Sequence, residues 1–368
     1  MFKVLQPATI GRLALRNRFV RSATHDSSAD PNGTVTDRSV EIYQQLAAGG
    51  VALIMTGHAY VSERGRAGAR QYGICDDRLI PGLARLAEAA HRDGAKIAAQ
   101  ITHAGVSSTF LASRELVALA PSQLEGRQPH RAMSEEEVDG VMGEFVAAAI
   151  RAKEAGFDAV QLHGAHGYLM SQFFSPITNR RQDRWGGTAE KRREFHLETI
   201  RRVRAAVGDD FPIWMKFGIM DDQEGGASLE EGIAAIEAMS RAGLDAVEIS
   251  GGVGSGSRGA IRVVDDEVGE DTYFRARAAQ AKRATDIPIA LVGGIRCLET
   301  AEDIVASGDA DLISLSRPLI REPDLIRRWL GGDYRRARCI SCGKCSAIMR
   351  RGDIVECGEE LLIRTGSF

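Results

Sequence analysis

His163 and His166 stand three residues apart in Gln161-Leu-His-Gly-Ala-His-Gly-Tyr-Leu-Met170, just past a run of apolar residues, and Tyr168 follows at once. Two imidazoles so placed at the end of a buried strand can turn into one pocket. There they can donate to an anionic oxygen, ligate a metal, or serve as a structural pair. The phenol beside them adds a proton donor, because an ordinary tyrosine pKa of about 10 leaves it protonated at neutral pH. Metal ligation has less to stand on, since no third ligand is evident within the motif and metal sites usually need at least three.

Further along, Lys216 sits inside the apolar run Pro212-Ile-Trp-Met-Lys-Phe217. Burying an ammonium is costly unless it faces an anion; the bland alternative is a surface lysine that snorkels to water. Gly293-Gly294 and Ser314-Leu-Ser-Arg317 are the parts of a phosphate cradle, in which backbone N–H groups and a guanidinium meet a dianion, although two glycines alone can simply serve a turn. Near the C-terminus, Cys339-Ile-Ser-Cys342-Gly-Lys-Cys345 is followed by Cys357. Four thiolates at such spacing can hold a [4Fe–4S] cluster or a closed zinc site, or they can remain thiols on a segment packed against the barrel or a neighbouring subunit.

These residues need a scaffold. Short β-rich runs at Arg18–Ser22, Val51–Thr56, Lys96–Ile101, Phe157–Leu162, Pro212–Phe217, Leu244–Ser250, Pro288–Val292 and Ala310–Leu315 alternate with helical patterns such as Glu135–Ala155, Ala189–Val207, Leu229–Ala242 and Leu298–Ser307. Eight β/α units predict an α/β fold, a closed (β/α)8 TIM barrel; a doubly wound open sheet is the structural alternative. The first sixteen residues read as an N-terminal hairpin on the barrel floor. Residues 1–335 are then the barrel, and 336–368 a cysteine-containing tail.

Chemistry in such barrels sits at the carboxyl ends of the strands. Those ends collect Ser22-Ala-Thr-His25, Thr56-Gly-His58, Gln100 to His103, the His163/His166 pair, Lys216, Ser250-Gly-Gly252, Gly293-Gly294 and Ser314 to Arg317. A phosphate site, a rim lysine, an amide and two histidines describe a phosphorylated cofactor over a small-substrate pocket.

Composition excludes other classes. With 44% hydrophobic and 26% charged residues and a formal charge of −3, the chain is an ordinary globule with no basic surface for nucleic acid or an anionic membrane. No apolar run is long enough to span a bilayer, and Met1-Phe-Lys-Val-Leu-Gln-Pro7 lacks a signal-peptide core, so a cytoplasmic protein is expected.

The stretch Leu162-His-Gly-Ala-His-Gly-Tyr-Leu169, followed by Ser175-Pro-Ile-Thr-Asn-Arg-Arg-Gln-Asp-Arg-Trp-Gly-Gly187, resembles the old yellow enzyme family of FMN-dependent oxidoreductases, with similarity from Pro7 to about Pro323. The resemblance implies that Ala23, Thr24 and His25 contact the flavin near N5 and O4, and that Gly57-His58 contacts its ring. Gln100 would bind the pyrimidine edge, Lys216 the N1/O2 edge, and Gly293, Gly294, Ser316 and Arg317 the phosphate. His163 and His166 would bind the carbonyl oxygen of an activated alkene, with His25 also on the substrate side, and Tyr168 would protonate the α-carbon. NAD(P)H would be the reductant, an unsaturated carbonyl compound the substrate, and a homo-oligomer the assembly. His25 and the cysteine tail also resemble the 2,4-dienoyl-CoA reductase and trimethylamine dehydrogenase branch, which carries a cluster at this place. That resemblance implies a second role, an electron-transfer subunit lacking the branch's downstream FAD and NADPH domains.

Overall fold

In a computed structural model the chain is described over residues 2–254, 262 and 272–366. Eight parallel strands form the centre: β1 (Phe19–Arg21), β2 (Leu53–Met55), β3 (Lys96–Thr102), β4 (Ala159–Gly164), β5 (Ile213–Gly218), β6 (Ala246–Ser250), β7 (Ile289–Val292) and β8 (Leu312–Leu315). Each pairs with the next, and β8 pairs with β1, so no edge is left open. The molecule is a closed (β/α)8 barrel, which rules out the open-sheet alternative. Its strands read as continuous apolar runs because side chains on both faces are buried, one set in the barrel and the other under helices.

The helices begin where the sequence provides caps. Ser134 with Glu137, and Ser228 with Glu231, form reciprocal capping boxes at Glu135–Glu154 and Leu229–Arg241, each satisfying amide donors that the first turn leaves orphaned. Thr188 caps Ala189–Val207, which ends at Gly208 in a positive-φ conformation (φ 78°).

The hairpin Ala8–Ile10/Leu13–Leu15 closes the floor, where Ile10, Leu13 and Leu15 join Val20, Leu53, Ala98, Trp214 and Leu312 in one buried cluster. Sealing that end in hydrocarbon leaves the other as the mouth. The segment after Leu325–Leu330 returns toward it. Ala337 N–H donates to Arg296 O at 2.8 Å, Arg317 to Ser341 O at 3.0 Å, and Val355 N–H to Asp26 O at 2.9 Å. Two short helices, Lys344–Arg350 and Gly358–Thr365, complete this tail. Among the described residues no helix is long and apolar enough to cross a membrane. Residues 255–261 and 263–271, between β6 and the helix Arg275–Ala284, lie outside the described residues.

Candidate active site

A cavity of about 300 Å³ opens at the carboxyl ends of the strands, a volume at the lower end of small-molecule sites. His163, His166, Tyr168, His25 and His58 line one part of it; Ala23, Thr24, Gln100 and Lys216 another; and Gly293, Gly294, Ser316 and Arg317 a third. The residues singled out from the barrel sequence therefore meet in one cavity.

The rings are arranged as a cluster. His163 lies 5.0 Å from His166 and 4.9 Å from Tyr168 between ring centroids, and His58 lies 5.4 Å from Tyr168. His166 occupies the left-handed region (φ 61°), uncommon for a residue with a side chain, and Gly251 O accepts its N–H at 3.0 Å. That turn swings the second imidazole back beside the first while its Nε2 meets Ser250 Oγ at 2.7 Å. Ala165 N–H donates to His163 Nδ1 at 3.3 Å, so the neutral ring keeps its proton on Nε2 and is a donor there.

Burial, then the closeness of His166, His58 and Lys216, holds His163 well below the ordinary histidine pKa, and burial with Lys216 nearby brings His166 down to about 3. Both rings are thus uncharged at neutral pH, each with a single N–H. Burial pushes Tyr168 up to about 12, so its proton is retained until a stronger base forms beside it.

Lys216 is 3% exposed and meets Glu248, fully buried, at 2.8 Å. The anion demanded by the lysine is supplied by the protein itself. Ser22 donates to Glu248 at 2.6 Å, Gln161 donates to it at 2.9 Å, and Gln100 donates to Gln161 at 2.7 Å. Burial alone would raise the Glu248 pKa, but Lys216 and these donors hold it below the ordinary value. The ammonium at the cavity edge is therefore held in place by a buried counter-charge. Sequence reading missed Glu248, although its signal matched that of Lys216: one charge within the apolar run Ala246-Val-Glu-Ile-Ser250. Arg296 and Tyr273, which also line the cavity, carried no comparable signal.

The opposite wall is shaped for close approach of a ligand. Gly293 has φ 112°, and a Cβ there would come within 2.6 Å of the Tyr273 ring. Gly294 is also at positive φ (79°). Ser314 Oγ is buried without a partner among the described residues, the kind of orphan that a bound group satisfies. Thr24 and Ser316 hydroxyls are 2.8 Å apart, and the buried Arg21, lowered to about 10 by burial and so still a cation, bonds Ser316 O. Small backbone, hydroxyls and guanidinium groups in one wall, with an amide and ammonium across from them, fit the phosphate and ring of FMN.

Cys339, Cys342, Cys345 and Cys357 line a second, small cavity of about 20 Å³, which shares Arg317, Ile320, Ser341 and Cys345 with the first. Burial raises the thiol pKa of Cys339 and Cys345, so both are protonated. Among the described residues no group of three or more His, Cys, Asp or Glu side chains is placed to hold a metal ion. The four thiols converge, but this arrangement does not fit the expected iron–sulfur or zinc site, and the histidine pair gains no third ligand either.

Residues 3–333 match the family described as NADH:flavin oxidoreductase / NADH oxidase. An NADH oxidase of Thermoanaerobacter brockii is 39% identical over 90% of this chain and 52% of its own length. A 4,4'-dithiodibutanoate disulfide reductase of Rhodococcus erythropolis is 32% identical over 98% of this chain and 96% of its own. Among solved structures, morphinone reductase in complex with tetrahydroNAD superposes with a TM-score of 0.75 at 26% identity, covering 90% of this chain and 91% of that one. The chain spans about half the length of several curated relatives that it matches.

Proposed function

This chain belongs to the NADH:flavin oxidoreductase / NADH oxidase family, the old yellow enzyme family, and we propose that it reduces the C=C bond of α,β-unsaturated carbonyl compounds at the expense of NAD(P)H. The observation that carries the reading is the junction of two uncharged imidazoles and a protonated phenol on one side of a cavity whose other walls fit FMN.

When bound, FMN would accept hydride from the nicotinamide and return it from N5 to the β-carbon of the alkene. Gly293, Gly294, Ser316 and Arg317 would hold its phosphate, and Gln100 and Lys216 its pyrimidine edge. Lys216 gives that edge positive charge, which favours the reduced anionic form, and Glu248 limits how much. His163 and His166 would hold the substrate carbonyl oxygen. As negative charge builds there, fixed N–H donors stabilise it without having to reorganise. Tyr168 then delivers its proton to the α-carbon, because the enolate is basic enough to take it although neutral water is not.

Purified protein carrying FMN, bleached by NAD(P)H and recoloured by cyclohexenone under anaerobic conditions, is the expected result. Protein without FMN, or a Tyr168→Phe/His163→Ala double variant that recolours at the wild-type rate, would contradict it. A second reading, the flavin half of a longer electron-transfer system, is favoured by the relatives of which this chain covers about half the length. Iron and sulfide analysis of the same sample separates the two.

A further inference from the structure

Resting on the reading that this cavity reduces activated alkenes, we propose that His58 is an additional substrate-binding donor whose polarity Gln71 fixes, and that the preferred substrates carry a second carbonyl oxygen. His58 lies just past β2 in the cavity wall, with its Nδ1 2.7 Å from Gln71 Nε2. Which atom donates is decided at the other end of the amide. Gln71 Oε1 faces the backbone N–H of Ala67 at 2.7 Å and of Gly68 at 3.4 Å. Backbone N–H groups only donate, so oxygen must stand there and the NH₂ must face His58. An amide NH₂ also only donates. His58 Nδ1 is therefore an acceptor without a proton, and the neutral ring carries its hydrogen on Nε2.

Gln71 is fully buried, so turning its amide over would leave buried donors facing donors. His58 is itself held neutral, well below the ordinary histidine range, by burial and by His25 and His166 nearby. Its ring stacks on His25 at 4.9 Å and stands 6.1 Å from His163. The N–H that Gln71 leaves to the cavity thus adds to the His163/His166 pair and lies next to Tyr168. A substrate with a single carbonyl uses the pair alone. An enedione brings a second oxygen for His58.

The tautomer can be read without turnover. In flavin-loaded protein labelled with ¹⁵N-histidine, with His58 assigned by its loss in His58→Phe, Nδ1 is expected at the unprotonated position and Nε2 at the protonated one. Gln71→Glu offers only acceptors and is expected to interchange them. The ratio of kcat/KM for 2,2,6-trimethylcyclohex-5-ene-1,4-dione to that for cyclohex-2-enone is then expected to fall about tenfold in Gln71→Glu and in His58→Phe, the loss of roughly one hydrogen bond. A proton on Nδ1 in the wild type, or an unchanged ratio in both variants, overturns the proposal. If the wild type reduces neither compound, the alkene reading itself fails. In that case a shift of the His58 Nε2 signal on adding the dione still supports the donor, and no shift overturns it.

Discussion

In the proposed reaction Tyr168 and the histidines around it act through their uncharged forms, and burial keeps them so. With its pKa pushed up to about 12, Tyr168 is a proton donor throughout the neutral range. Tyr168→Phe is expected to slow recolouring of the bleached protein by an enone by about a hundredfold or more, the usual scale of a lost general acid. Stopped-flow absorbance checks it, and recolouring at the wild-type rate would remove Tyr168 from the reaction. The neutral imidazoles also couple stability to pH. His166, His103 and His196 are each lowered by burial from 6.5 to about 3. A depressed folded-state pKa means that the unfolded chain takes up the proton first. Their stabilisation is complete above pH 6.5 and is lost as pH falls toward 3, by about 1.4 kcal/mol per pH unit for each ring within that window. Urea midpoints measured from pH 7 to pH 4 should fall steeply; a flat profile would contradict the assignment of these rings as buried and neutral.

At the level of strands, the site depends on register. Lys216 and Glu248 are direct partners across β5 and β6, and Gln100 pairs with Gln161 across β3 and β4. Glu248→Gln leaves a buried ammonium without its counter-charge, which costs about 3–5 kcal/mol by precedent for broken buried pairs. Denaturant unfolding should show a loss of that size, with most of it regained in a Lys216→Met/Glu248→Leu double variant. A single-variant loss below about 1 kcal/mol would mean that the pair is not buried as described. Gly293→Ala, strained at φ 112° and pressed against Tyr273, should weaken FMN binding in fluorescence titration, whereas undiminished affinity would place the phosphate elsewhere. Lys216 was legible in the sequence because a charge within an apolar run needs an explanation. Glu248 carried the same signal and was missed; that the two charges meet was not legible, because register across two strands follows from barrel closure rather than from either segment alone. Gln71 was less visible still: it belongs to no regular element and reaches His58 only in three dimensions.

At the scale of the whole molecule, eight alternating strand and helix patterns were enough to define the closed barrel, its floor hairpin and the carboxyl-end location of the site. The tail was legible only in part. Cysteine spacing left open a cluster, a zinc site or free thiols on a packed segment; the four thiols line one small cavity, and among the described residues none of them joins a group placed to hold a metal. Spacing fixes which ligands can meet; packing fixes how closely they do. The proposed reaction, with hydride supplied from one side of the barrel mouth and a phenol proton from the other, makes one directional demand. When cyclohexenone bearing a β-substituent is reduced by nicotinamide deuterated at C4 in ordinary water, the account predicts deuterium at the β-carbon and solvent hydrogen at the α-carbon. Solvent hydrogen at the β-carbon, or nicotinamide consumption without a saturated product, would contradict it.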